Sequence, residues 1–499
     1  MQSHPTTKRR WFFLSLNASI ILVTIITAVL FATIGLLYTL KSKTTAGNYI
    51  VARNKVGGLL ATATLVASGL GAWILFSPAE TGTWAGIAGL IGYSIGSAAP
   101  LLAFIFIGSR LRRLMPSGHS LTEFVKLRYG TAPHILALLV MVFYMFIFLA
   151  AELTGISLAV NLLGGTPLVI TASIVGIFTM IYTAFGGLRV SIFTDSIQFA
   201  VIIPLIVAVF LILIVTLGGF GSAFEAVNLE NKELLSLTHW PGIEFGLTLI
   251  IAIGAAEMFN GAYWQRVYSC KDERSLKTGF LAAGVIVIPV IFLLGILGIV
   301  AVGNGNLSEP SSALFELVND VVPKWVFGLV LVLAVILVMS SMDSLLNGIS
   351  SVFTADLAQL MPSLAGSKLL LFSRIATAAL IIPLIVIASN GYSVLYLFLI
   401  ADLVCAATVF PVFYGLFSPR IGQKTILISS IAGIIVGALF FPNSDYEGWI
   451  SIPYAGRFLV SFGAAVGVSA VVCLLSDIYM KLILKNTGGF STFSVKQID

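Results

Sequence analysis

Thirteen apolar runs, most of about 20 residues or more, follow one another along this chain with only short polar stretches between them. As an α-helix rising 1.5 Å per residue, a run of about 20 residues crosses the ~30 Å hydrocarbon core of a bilayer. Two-residue alternation does not run through these segments, so a transmembrane barrel is excluded. A soluble globular class is excluded too, because the 499-residue chain is 58% hydrophobic and only 10% charged. The runs fall at roughly 15–40, 57–78, 84–108, 134–162, 166–185, 192–218, 243–268, 277–302, 325–356, 368–389, 392–417, 424–441 and 456–482. The expectation is an all-α polytopic membrane protein, one membrane domain over 1–499, with no loop long enough for a soluble domain.

Lys and Arg sort by side. With the N-terminus placed outside, inside segments hold nineteen basic residues, including Arg53, Lys55, Arg110, Arg112, Arg113, Lys126 and Arg128, and outside segments hold six. This is the positive-inside bias, opposed only by Lys8, Arg9 and Arg10. It predicts a plasma (inner) membrane protein with its N-terminus outside and its C-terminus cytoplasmic. The net charge of +6 is this topological signal and does not argue for nucleic acid. Cys270, Cys405 and Cys473 are scattered in or near the runs and imply no disulfide framework. In the inside loop near 109–133, the stretch ending at Arg128 reads as an interfacial helix.

Five acids fall well inside the runs: Glu152, Asp195, Glu257, Asp343 and Asp402. Glu80 reads as the outer end of the second run. An intramembrane carboxylate costs about 3 kcal/mol at a helix centre on insertion scales. Bases are scarce, since Arg266 and Arg374 fall near run ends, where long side chains reach water. Protons, metal cations, a cationic solute or a water-filled cavity must therefore compensate the acids. Asp195 and Asp343 sit among hydroxyls (Thr194, Ser196, Ser340, Ser341, Ser344), hard oxygen donors suited to Na⁺.

Glycines add a second signal. Ala67-Ser68-Gly69-Leu70-Gly71-Ala72-Trp73 interrupts the second run, and Gly254-Ala255-Ala256-Glu257-Met258-Phe259-Asn260-Gly261 interrupts the seventh. Glycine-interrupted spans at corresponding positions of two halves mark broken helices whose free carbonyls and N–H groups bind ion and solute. The two interruptions lie five runs apart. Two inverted five-helix repeats follow, over 57–218 and 243–417, with one extra span before them (15–40) and two after (424–482).

Three motifs carry a resemblance. Gly186-Gly187-Leu188 through Thr194-Asp195-Ser196-Ile197-Gln198 resembles the signature of the sodium:solute symporter family. Gln265-Arg266-Val267-Tyr268 resembles the inner end of the first helix of that family's second repeat. Ser340-Ser341-Met342-Asp343-Ser344-Leu345-Leu346-Asn347 resembles its ninth-span motif. The resemblance implies a LeuT-type core, no enzymatic activity, no organic cofactor and uptake of a small-molecule solute coupled to Na⁺ across the lipid bilayer. No obligatory protein partner is implied.

Carried over by motif, the main sodium site takes the carbonyls of Ala67, Leu70 and Leu337 and the hydroxyls of Ser340 and Ser341. A second cation site, or a proton site, is implied at Asp195, Ser340, Asp343 and Ser344. Solute contacts are expected at the breaks, at Gly69, Gly71, Trp73, Glu257, Phe259, Asn260 and Tyr263, with Glu152 and Asp402 close by. Without a mid-membrane base to clamp a carboxylate, an acidic solute is disfavoured, and Glu257 suits a small polar neutral or cationic one. Ala262-Tyr263-Trp264-Gln265 and Gly118-His119-Ser120-Leu121-Thr122-Glu123 resemble the family's urea-transporter branch, which keeps an H⁺-coupled, urea-like symporter as an alternative. A passive channel is the alternative of another class.

Overall fold

The computed structural model describes residues 5–41, 52–360, 367–444 and 446–482. The side chains of Lys8, Arg9 and Arg10, those just beyond Thr354, and the chain after Leu482 lie outside the described residues. The expected placement of both termini falls with them.

In chain order the helices are α1 (Pro5–Lys41), α2 (Gly58–Gly69), α3 (Ser77–Leu114), α4 (Leu121–Tyr129), α5 (Thr131–Gly164), α6 (Leu168–Thr216), α7 (Phe220–Asn231), α8 (Trp240–Ala256) and α9 (Gly261–Ser269). There follow α10 (Glu273–Gly303), α11 (Ala313–Val321), α12 (Lys324–Leu360), α13 (Ser367–Ala379), α14 (Ile381–Ala388), α15 (Val394–Tyr414), α16 (Gln423–Phe440) and α17 (Phe458–Leu482). Among the described residues, ten helices are long and apolar enough to cross a membrane, and three shorter apolar helices accompany them.

Both expected breaks are present. The first core helix stops at Gly69, Leu70 and Gly71 are extended, and a single 3₁₀ turn (Ala72–Leu75) resumes the course. The seventh run stops at Ala256, passes through a 3₁₀ turn (Glu257–Phe259) and an extended Asn260, and restarts as α9. The Asn260 side chain accepts from Ala262 N–H and so caps α9.

One run boundary shifts. The second span does not end near residue 78: α3 begins at Ser77 and turns sharply at Gly86, whose φ of 60° suits glycine. Glu80 therefore lies within α3, ahead of this corner, and is buried, 5% exposed. The fifth and sixth spans meet within α6 at Gly187, φ 65°.

The predicted interfacial helix forms as α4, opened by Ser120 and Glu123 in a reciprocal capping box. Leu121, Phe124 and Val125 are fully buried, and Arg128 reaches back to the Ser418 carbonyl at 2.9 Å.

Candidate cation and solute sites

The expected sodium ligands sit where α2 ends against α12. Ala67, Leu70, Leu337, Ser340 and Ser341 are all 0–1% exposed. A helix end leaves carbonyls without intrahelical partners, which is why Ala67 and Leu70 suit a cation. Each serine hydroxyl donates its proton to a buried carboxylate: Ser340 Oγ to Asp195 Oδ1 at 2.7 Å, and Ser341 Oγ to Glu152 Oε2 at 2.8 Å. With its proton committed, each oxygen turns lone pairs to the remaining space, the donor set a hard cation requires.

Asp195 is not an unpaired charge. Arg266, on the short α9, is fully buried and holds Asp195 Oδ2 through Nη2 at 2.8 Å. The same nitrogen donates to Ser344 Oγ at 2.7 Å, while Nε donates to Thr64 Oγ1 at 3.0 Å. Thr64 in turn donates to Asp195 Oδ2. The expectation that Arg266 sits near a water-facing end is corrected. The break makes α9 start in the middle of the core, so a residue near the end of a hydropathy run is still deep in protein. Three of the four residues expected at a second cation site, Asp195, Ser340 and Ser344, thus lie in one network with a guanidinium. The fourth, Asp343, takes Thr183 Oγ1 at 2.7 Å and Asn347 Nδ2 at 3.0 Å on its Oδ1. Its Oδ2 is buried without a hydrogen-bond partner.

Next to the breaks is a small chamber of about 30 Å³, room for a water or two. Its walls include Glu257, Asp402 and the rings of Trp73, Tyr93, Tyr144, Phe148 and Phe398. Trp73 stacks on Tyr93 with centroids 6.0 Å apart and meets Phe398 edge-on at 6.0 Å; its indole N–H spans the first break to Gly69 O at 3.1 Å. Glu257 Oε2 accepts from Asn260 Nδ2 at 2.8 Å. Asp402 Oδ1 is buried with no hydrogen-bond partner. Among the described residues, no ion pair reaches Glu257 or Asp402.

Of the residues expected to touch solute, Trp73 and Glu257 line this chamber. Gly69 and Gly71 do not, because Tyr263 Oη stands over Gly69 and the Glu152 carboxylate over Gly71. Phe259 packs on Phe413 with centroids 6.1 Å apart, Tyr263 on Phe104 at 5.8 Å, and Asn260 serves as a cap. Tyr93, Tyr144, Phe148 and Phe398 were not expected. They come from three helices, and nothing in their local sequence separates them from packing aromatics.

The profile of the Sodium:solute symporter family matches residues 49–433. The chain is 30% identical over 366 residues to the spermidine transporter DUR31 of Candida albicans, covering 72% of this chain and 67% of that one. It is 24% identical to the human sodium/myo-inositol cotransporter, over 80% of this chain and 63% of the relative, and 24% identical to the urea active transporter of Saccharomyces cerevisiae, over 78% and 57%. The chain therefore spans less than two thirds of the length of those last two relatives. A solved structure of a Na⁺-coupled sialic acid symporter in a substrate-bound outward-open state superposes with a TM-score of 0.75 at 18% identity, over 93% of this chain and 98% of that one. Mhp1, a nucleobase-cation-symport-1 family transporter, superposes with a TM-score of 0.57 at 16% identity, over 90% and 96%. At these identities the superpositions speak for the fold, a LeuT-type core. The profile match takes in most of the chain, and with it the protein belongs to the sodium:solute symporter family, a family of membrane transporters and not of enzymes.

Proposed function

We propose that the protein imports a small organic cation of the di- or polyamine class, driven by Na⁺ moving inward, by alternating access. The observation that carries the solute class is the chamber: two buried carboxylates, one with an oxygen lacking any partner, inside a ring of aromatic faces. Ammonium groups pair with carboxylates and are attracted to aromatic faces, whereas a neutral polyol or an anion leaves these acids uncompensated. The similarity to a spermidine transporter supports the same class. At about 30 Å³ the chamber is too small for such a solute, so its walls must part to admit it.

Na⁺ is assigned to the Ala67, Leu70, Leu337, Ser340 and Ser341 oxygens. Binding there ties α2 to α12 and favours the solute-competent arrangement, so ion and solute tighten each other. Asp343, with its partnerless Oδ2, supplies the place where a proton would act if coupling were to H⁺. The basic residues around Arg53, Arg112 and Arg128 support a cytoplasmic placement of that face, and an inward Na⁺ gradient would drive net uptake.

The test is a thermal-stability screen of the purified protein with spermidine, putrescine, choline, urea and myo-inositol, each in Na⁺ and in K⁺. Stabilisation by the amines, larger in Na⁺, is expected. Stabilisation by urea or myo-inositol with none by the amines overturns the solute assignment.

A further inference from the structure

Glu152, which takes the Ser341 proton but is assigned neither as an ion ligand nor as a solute contact, is fully buried on α5 between the two sites. Its Oε2 accepts both the Ala72 N–H at 2.7 Å and the Ser341 hydroxyl at 2.8 Å, and the Trp73 N–H lies 3.5 Å from Oε1. These donors belong to different bodies. Ala72 and Trp73 open the outer half of the broken first core helix, and Trp73 walls the chamber. Ser341 is on α12, among the sodium oxygens. Gly71 makes the approach possible, because a Cβ there would fall on the Glu152 carboxylate.

The Ser341 hydroxyl has one proton and three acceptors in reach: Glu152 Oε2 at 2.8 Å, Leu337 O at 3.2 Å and Val338 O at 3.2 Å. A carboxylate is the stronger acceptor. Donation to Glu152 has two consequences. It leaves the Ser341 lone pairs for a cation, and it frees the Leu337 carbonyl from its own side-chain bond so that it too can face the ion. Without the carboxylate the proton returns to the helix carbonyls, and the site loses a carbonyl ligand.

We propose that Glu152 is the positioning residue that couples cation occupancy to the solute chamber. A cation on Ser341 Oγ draws electron density from the hydroxyl and tightens its hydrogen bond to Glu152. The same carboxylate oxygen fixes Ala72 N–H, and through it the start of the outer half-helix and the Trp73 indole. This role rests on Ser341 belonging to the sodium site.

The experiment measures spermidine dissociation constants on the full-length protein in nanodiscs, in K⁺ alone and in saturating Na⁺ at equal ionic strength. Their ratio is the coupling factor, on the order of 5–150-fold for linked sites. Glu152→Gln keeps the size and one acceptor oxygen but loses the charge. It is expected to bring the ratio to within about twofold of unity, with the K⁺ value little changed. Gly71→Ala keeps the charge but displaces the carboxylate, and the same loss is expected; it decides the matter if Glu152→Gln does not fold. A wild-type ratio in these variants overturns the proposal while leaving the sodium site standing. Ser341→Ala tests the site itself: retained Na⁺-dependent thermal stabilisation overturns the sodium assignment and this role with it. If spermidine does not bind, the Na⁺ half-saturation of thermal stabilisation is read instead. A rise of about fivefold or more in Glu152→Gln is expected there, and an unchanged value overturns the proposal.

Discussion

Arg266 Nη2 lies 2.8 Å from Asp195 Oδ2, and both side chains are completely buried. Thr64 on α2, Arg266 on α9, Asp195 on α6 and Ser340 and Ser344 on α12 form one hydrogen-bonded unit. The inner halves of both broken helices are thereby tied to the helices that flank them. This unit ties together helices that the proposed alternating access would move, so its strength is expected to bear on transport as well as on folding.

Removing one partner of a buried ion pair leaves an uncompensated charge, at about 3–5 kcal/mol. Arg266→Met is expected to lower thermal stability by that order. The double variant Arg266→Met/Asp195→Leu is expected to recover most of it, since well-packed apolar replacements of buried pairs are often neutral. Unfolding midpoints of the purified single and double variants check this.

Ser340→Ala removes a proposed sodium ligand and one donor to Asp195, and Asp195→Asn removes the charge. Both are expected to weaken Na⁺-stimulated uptake more than they reduce the amount of folded protein. Quantifying folded protein by size-exclusion chromatography alongside uptake separates the two effects. Normal transport by the folded variants at low Na⁺ would place the ion elsewhere.

Glu257→Gln and Asp402→Asn each remove a proposed charged partner of the solute from the chamber. A hydrogen bond to a charged group contributes about 1.5–3 kcal/mol, so spermidine binding is expected to weaken on the order of 10–100-fold. Na⁺-dependent thermal stabilisation should be unchanged. Binding titrations in saturating Na⁺ give the first figure and a melting series gives the second.

Gly92 on α3 faces the backbone of Gly246 on α8, so closely that an added Cβ would overlap the Gly246 main chain. Such small-residue seams replace the missing hydrophobic drive between helices in lipid. Gly92→Val is expected to lower the melting temperature, with a cost of about 1–3 kcal/mol from overpacking, and to leave the ratio of spermidine affinities in Na⁺ and K⁺ as it is.

Outside the membrane, Glu316 gathers the Ser308 N–H at 2.7 Å, the Ser308 hydroxyl at 2.9 Å, the Glu309 N–H at 3.1 Å and the Ser312 hydroxyl at 2.5 Å. Partial burial pushes this carboxyl up, but the donors from Ser308 and Ser312 outweigh it and hold it below the ordinary range. A lowered folded value means the stabilisation is complete above the unfolded pKa, about 4.3, and is lost as pH falls through the folded value. Protease cleavage in the loop at 304–312 is therefore expected to rise only below about pH 4, and to be high at neutral pH in Glu316→Gln.

The apolar runs, both helix breaks and the buried acids were legible in the sequence, because membrane insertion penalises polar groups and each exception stands out. Gly69 to Gly71 and Glu257 to Gly261 were readable for that reason. Arg266 was not, since hydropathy measures distance from the end of a run, whereas the break moves α9 inward and lets α12 and α6 cover the guanidinium. The chamber rings were not readable either. Tyr93, Tyr144, Phe148 and Phe398 converge only once α3, α5 and α15 pack, and an aromatic on a helix face has the same spacing whether it fills a core or walls a site.

Concentrative uptake tests the central claim most directly. Proteoliposomes holding the purified protein are given radiolabelled spermidine with an inward Na⁺ gradient, an inward H⁺ gradient, or neither. Internal spermidine is expected to rise above the external concentration only with the Na⁺ gradient and to leak back when that gradient is dissipated. Equal accumulation without Na⁺, or downhill equilibration alone under every gradient, would contradict a Na⁺-coupled organic-cation symporter.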